Sequence, residues 1–256
     1  VYGAVTGYGT TGPWVGKPGQ DLLVQSLTGM PWLSGDGGQL PVPAGFAVLD
    51  IACGNHLVQG IMAVLLRRER TGEGGLVEVD LMSSSIDTQF ELFSSFLNGD
   101  GAMLKRSAIS NANASVAAPY GIYACEDGYI AIAMTPISAL AELLDCPDLL
   151  PMSNPEEAFA RRDEIKAVLR DHLLGRTVRH WLDRLEPADI WCAEVLDWPA
   201  MVKTEGFVAL DAVQEIEAPD GSKIRTTRCP IRLDGETLTS TRGGPALGAD
   251  TEELLG

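Results

Sequence analysis

Val1-Tyr2-Gly3-Ala4-Val5 is an apolar run that reads as a buried strand feeding a glycine-rich turn from Thr6 to Gly12. A chain that opens inside a core strand is expected to be a piece of something larger. Residues 18–33 then carry an apolar helical pattern (Leu22, Leu23, Leu27, Met30) behind Pro18-Gly19. After a glycine- and proline-rich loop from Ser34 to Gly45, the short apolar run Phe46 to Leu49 reads as a strand that ends at Asp50. From Asp50 a helix is expected to about Arg70, then a Thr71–Gly75 turn, then a strand over Leu76–Leu81 with period-two alternation. Strand, helix, strand in this order is a βαβ unit, so a parallel or mixed sheet is expected. A further helix, about Ser83 to Leu97, stops at Asn98-Gly99-Asp100-Gly101.

The pattern changes after residue 100. Residues 101–118 are small and polar and read as a linker. Tyr120–Cys125 and Tyr129–Met134 are short β runs joined by Glu126-Asp127-Gly128, a hairpin signal. Helical stretches follow at Pro136–Leu144, Pro155–Leu174 and Thr177–Leu185, the last two amphipathic. Together they predict a small α+β domain over 119–210. Short strands at Val213–Ala218 and Lys223–Leu233 precede a helix start at Asp250–Leu255. The fold class expected is α/β in the first part, with a separate small α+β domain.

Composition narrows the function more than the fold. A formal charge of −16, spread along the chain, argues against a general nucleic-acid or membrane surface. It leaves room for an anionic ligand held by a helix N-terminus or a few local cations. Five scattered cysteines (Cys53, Cys125, Cys146, Cys192, Cys229), with no Cys-x-x-Cys pair, read as reduced cytoplasmic thiols. Three histidines without ligand spacing make a metal site unexpected. The longest apolar stretch, Leu57–Leu66, suits a buried helix and is too short for a bilayer span.

Asp50 leads the residues that could do chemistry. At a strand-to-helix junction its carboxylate is expected to meet the free N–H groups of the first turn, either as an ordinary N-cap or as a covalent nucleophile beside donors able to hold an oxyanion. The segment Thr6-Gly7-Tyr8-Gly9-Thr10-Thr11-Gly12-Pro13 follows a strand like a phosphate-cradling loop, yet matches neither the P-loop nor the dinucleotide fingerprint. Arg67, Arg68 and Arg70 read as cations complementing a helix C-terminus, Gln20-Asp21 as capping residues, and the tryptophans as core.

In combination these features resemble the family III CoA-transferases, also called the CaiB/BaiF family. The resemblance rests on Thr6 to Pro13, on Pro18-Gly19-Gln20-Asp21, on Asp50 opening a helix that ends Arg68-Glu69-Arg70-Thr71-Gly72-Glu73-Gly74-Gly75, on Ala118-Pro119-Tyr120-Gly121, on Asp197-Trp198-Pro199 and on Pro245 to Glu252. It spans nearly the whole chain. It implies that Asp50 attacks an acyl-CoA thioester to give a mixed anhydride, and that the released CoA thiolate returns to form an aspartyl-CoA thioester. A free carboxylic acid then accepts the CoA by the reverse steps. Thr6, Gly7, Tyr8 and Gly9 are implied to line the coenzyme A cleft, with no metal required. The related α-methylacyl-CoA racemases carry a histidine where Gln20 stands here, and an amide cannot shuttle protons near neutrality, so transfer is favoured over racemisation. A non-catalytic subunit or fragment of a split enzyme is the third reading.

The resemblance further implies a cytoplasmic enzyme, acyl-CoA and a small carboxylic acid as substrates, and no membrane or nucleic-acid partner. It implies a partial Rossmann-like large domain from residues 1–100 and 225–256, a linker at 101–118 and a small domain at 119–210. The resemblance implies a nucleotide-binding segment ahead of residue 1, which is expected to be missing here. It also implies an interlocked homodimer, with pairing to a missing N-terminal half as the alternative.

Overall fold

The computed structural model describes residues 1–255, which divide into two compact units, 1–195 and the part that begins at Leu196. In the first unit, β1 (Tyr2–Thr6) and β2 (Leu76–Asp80) pair in parallel, Tyr2 opposite Leu76 and Thr6 opposite Asp80. Between them lie α1 (Asp21–Leu27), a 3-10 turn at Met30–Trp32 and the long α2 (Val48–Thr71). The parallel pairing follows the expected βαβ order.

Glycine sets how closely α2 lies on the sheet. A Cβ on Gly60 would meet Val77 Cγ1 at 2.5 Å, and one on Gly3 would meet Leu57 and Ile61 at 3.0–3.1 Å. The helix ends at Gly72, whose φ of 79° gives the left-handed cap that glycine adopts without strain. Arg68 and Arg70 lie in the last turn, and the Arg67 guanidinium donates to the Gly74 carbonyl at 2.6 Å. The cation-cap expectation for this run therefore holds.

Three local expectations do not. Phe46–Leu49 is not a strand: Phe46 and Ala47 close a loop and Val48 and Leu49 already belong to α2, with Leu49 buried on a small core with Val24, Cys53 and Leu81. Second, the helix expected over Ser83–Leu97 is two helices, α3 (Leu81–Thr88) and α4 (Phe90–Asn98), meeting at Gln89. Gln89 donates its amide to the Ser85 carbonyl at 2.9 Å. Third, the whole of α2, with 24 residues, is long and apolar enough by length and composition to cross a membrane. The shorter run Leu57–Leu66 had suggested otherwise.

Residues 101–118 form neither helix nor strand, but they are tied down on two sides. Arg106 donates to the carbonyls of Ser34 and Gln39, and Asn111 N–H donates to Asp36 Oδ1 at 2.9 Å. On the other side, Lys166 Nζ donates to Ser107 Oγ and to the Ser110 carbonyl, both at 3.0 Å. Arg162 donates to the carbonyls of Ala114 and Lys105.

Beyond them, β3 (Gly121–Ala124) and β4 (Tyr129–Ile132) form the expected hairpin, and β5 (Cys192–Glu194) adds an antiparallel third strand. Packed on them are α5 (Ile137–Leu143), α6 (Arg162–Leu173) and α7 (Val178–Leu185). They enclose the larger core, in which Ile130, Leu140, Leu149, Ile165, Leu169 and Leu185 are fully buried. Trp181 belongs to this core at 3% exposure, whereas Trp198 is 81% exposed and Trp191 and Trp32 are more than half exposed. The expectation that the tryptophans are core thus fails for three of them.

The second unit holds α8 (Trp198–Met201), α9 (Glu205–Leu210), the hairpin β6 (Val213–Glu217) and β7 (Lys223–Thr227), a two-residue pair β8 (Arg232–Leu233) and β9 (Glu236–Thr237), and α10 (Thr251–Leu255).

Candidate functional site

The C-terminus of α2 connects to the start of β2, so its N-terminus reaches the opposite edge of the sheet, where both parallel strands end. That edge is where open α/β sheets bind ligands, because loops and helix N-termini converge there. Thr6 and Asp80, the last residues of β1 and β2, face each other across it.

Asp50 is the third residue of α2 and is exposed. Sequence reasoning had it meeting the free amides of the first turn. The structure gives those amides other partners. Val48 N–H donates to the Phe46 carbonyl at 2.8 Å and Ile51 N–H to the Ala47 carbonyl at 3.3 Å. Leu49 N–H donates to Asp21 Oδ2 at 2.8 Å, with Asp50 N–H more distant from the same oxygen at 3.4 Å.

Asp21 therefore does for α2 what Asp50 was expected to do, reaching across from the start of α1. Its second oxygen accepts from the Gln25 amide, one turn on, and Gln25 Oε1 accepts from Ala44 N–H at 2.9 Å. Asp21, at 5% exposure, and Gln25 thus pin the loop that delivers the chain into α2. Gln20 caps α1 as expected, its Oε1 accepting from Leu22 N–H at 3.1 Å.

Two consequences follow for Asp50. Its carboxylate has no hydrogen-bond or ion-pair partner among the described residues, so it is not spent on capping. Equally, no first-turn amide is left to hold an oxyanion, which corrects that part of the sequence reading. Beneath it, burial pushes the Cys53 thiol up, and the charges of Asp80 and Asp50 act in the same direction against a hydrogen bond from Ser84. Asp50 and Asp80 thus act on one small region from two elements. Asp80 itself caps α3, accepting from Ser83 N–H at 2.7 Å and Ser83 Oγ at 2.8 Å.

The loop Thr6–Gly9 is pre-shaped. Thr6 Oγ1 accepts from Gly9 N–H at 2.9 Å, and the Gly7 carbonyl accepts from Met82 N–H at 3.1 Å. A Cβ on Gly7 would lie 2.5 Å from Gly19 Cα, so only two glycines let this loop close on the Pro18-Gly19 segment. Tyr8 donates its hydroxyl to the Pro18 carbonyl at 3.2 Å and packs edge-on against Trp14. Lys17 lies 4.6 Å over the same indole.

One group escaped the sequence reading. His56 bridges α2 to α3, with Nδ1 3.0 Å from Ser84 Oγ and Nε2 3.1 Å from Asp87 Oδ2. Ser84 lies 28 positions along the chain and Asp87 three further on, so the contact leaves no local signal.

A model of CoA-transferase family III matches residues 1–251. Among curated relatives, the human succinyl-CoA:glutarate CoA-transferase is 24% identical over 261 residues, covering 100% of this chain and 59% of its own length. The alpha subunit of succinyl-CoA–L-malate CoA-transferase from Chloroflexus aurantiacus is 26% identical, covering 98% of this chain and 60% of itself. The chain thus spans about three fifths of the length of these relatives. Among solved structures, Rv3272 of Mycobacterium tuberculosis superposes with a TM-score of 0.80 at 25% identity, over 100% of this chain and 68% of that one. A CaiB/BaiF family protein from Brucella suis, at 24% identity, shares the fold with a TM-score of 0.79. The α/β architecture agrees with these matches, and the chain belongs to CoA-transferase family III.

Proposed function

We propose that this chain carries the covalent centre of an acyl-CoA:carboxylate CoA-transferase, with Asp50 as the nucleophile. The observation that supports this reading is the state of the Asp50 carboxylate: exposed, at the N-terminus of a 24-residue helix, and relieved of capping by Asp21. An anion at a helix N-terminus is held in place electrostatically while remaining free to bond.

A carboxylate oxygen of Asp50 attacks the thioester carbonyl, the C–S bond breaks, and CoA leaves as thiolate from a mixed anhydride. The thiolate attacks the aspartyl carbonyl and expels the first acid as its carboxylate, leaving an aspartyl-CoA thioester. The carboxylate of a second acid attacks that thioester and frees the thiolate again. Attack of the thiolate on the new acyl carbon then gives the product thioester and restores Asp50. Each step exchanges one acyl bond for another, so no oxidant or metal enters. Thr6, Gly7, Tyr8 and Gly9 border the coenzyme cleft in this reading, and the donors for the oxyanion come from outside the first turn of α2.

The assembled enzyme is an interlocked homodimer or a pairing with an N-terminal half, in the cytoplasm. Several features support a covering partner: Ile51, Val58, Met62 and Leu66 form an exposed apolar stripe on α2, and both edges of the β1–β2 pair are open. A racemase reading is disfavoured because Gln20 is an amide engaged in capping α1. The test is exchange of label between a CoA thioester and a free acid by the assembled protein. Asp50→Ala is expected to abolish it, and retained exchange would reject the proposal.

A further inference from the structure

Four of the 19 lysines and arginines and two of the three histidines fall within the fifteen residues from Arg170 to Arg184 of a strongly acidic chain. Those on the outer face of α7 are neutralised locally, as with Arg179 and Asp183 at 2.6 Å. Arg176, Arg184, His172 and His180 gather around one groove of about 450 Å³, formed where the C-terminus of α6 meets α7 and the end of α5.

The floor of the groove is fixed. Trp181 is buried and donates its indole N–H to the Leu173 carbonyl at 2.8 Å. The His172 and His180 rings lean on it from two sides, at centroid distances of 5.3 and 4.9 Å. His172 Nε2 lies 2.7 Å from the Leu144 carbonyl, which can only accept, so Nε2 carries the proton and Nδ1 is left over.

The carboxylates of the groove are already matched. Asp145 pairs with Arg184 at 2.6 Å, and Asp171 with Arg170 at 2.7 Å. Arg176 has no carboxylate partner among the described residues; it gives one N–H to the Gly175 carbonyl at 2.8 Å. A guanidinium has five N–H donors, so Arg176 and Arg184 keep most of theirs.

We propose that this groove is an anion site for the phosphate group of a small molecule, with Arg176 and Arg184 as the forked donors and the His172 and His180 rings flanking them. Planar guanidinium pairs match tetrahedral phosphate oxygens, and the volume exceeds that of a lone phosphate, as a nucleotide-sized carrier would need. The site lies on the core of β3–β5 and does not depend on the role of Asp50.

The test titrates the chain with inorganic phosphate, ADP or adenosine while following the histidine ring C–H resonances by NMR. Phosphate and ADP are expected to move the signals of His172 and His180 and to leave those of His56 in place, with ADP binding more tightly if the phosphate is carried on a nucleotide and equally if it is free. Arg176→Gln should weaken binding at least tenfold and Arg176→Lys less. The Gln variant retains a donor for the Gly175 carbonyl, and the unperturbed His56 signals report that the fold is kept. Equal movement of all three histidines, binding of adenosine as tight as ADP, or unchanged binding by Arg176→Gln would each overturn the proposal.

Discussion

Asp21 Oδ2 accepts a hydrogen bond from Leu49 N–H at 2.8 Å, across 28 residues of chain, and this contact leaves Asp50 unencumbered at the start of α2. A helix needs its first amides satisfied. Here the carboxylate that satisfies them comes from another helix, and the one inside the first turn faces solvent. The two aspartates therefore divide into a structural member and the proposed nucleophile.

That division makes them respond oppositely to mutation. Asp21→Ala leaves the buried Gln25 amide and the Leu49 amide without their acceptor, a loss of about 1–3 kcal/mol. Asp50→Ala removes an exposed side chain and is expected to change stability by less than about 0.5 kcal/mol. Urea unfolding of the two variants measures the difference.

The Gly7–Gly19 approach predicts a steric rather than a chemical failure. Gly7→Ala places a methyl 2.5 Å from Gly19 Cα and must open the loop, whereas Ala at Gly16, which has open space, should be tolerated. Thermal unfolding should show a clear drop in Tm for the first variant and little change for the second.

Lys166 gives a pH signature. Burial, and then the neighbouring Arg162, push its ammonium down to about 8 from 10.5, against the opposing pull of Asp163 and Asp36. Between those two values the unfolded chain holds a proton that the folded chain has released, so this group makes stability rise with pH there, by at most about 1.4 kcal/mol per pH unit. Below pH 8 both states are charged and the slope vanishes. The stability of the protein minus that of Lys166→Met, followed by denaturant titration from pH 7 to 10.5, should increase through that window.

How far the sequence anticipates this structure depends on the range of the forces involved. The β1–α2–β2 unit is legible because periodicity and turn glycines are local: Gly72 and the strand Leu76–Asp80 lie where the pattern puts them. Phe46–Leu49 misleads because a four-residue apolar run has the same appearance in a strand and in the buried first turn of a helix. β5 is invisible because Cys192–Glu194 is three residues long and becomes a strand only by pairing with β4. Asp50 is picked out by its place in the motif order, but its freedom from capping depends on Asp21. The only sequence trace of that contact is the four-residue spacing of Asp21 and Gln25. Trp198, Trp191 and Trp32 are exposed against expectation because apolar composition says which residues prefer burial and not whether a surface is covered.

The central claim is covalent bonding at Asp50, and it is read most directly by mass. The assembled protein is incubated with an acyl-CoA, quenched with hydroxylamine, digested and analysed by mass spectrometry. A hydroxamate on the peptide containing Asp50, absent without the thioester, is the expected result. A hydroxamate on another carboxylate, or none at all from protein that exchanges CoA normally, would contradict the account.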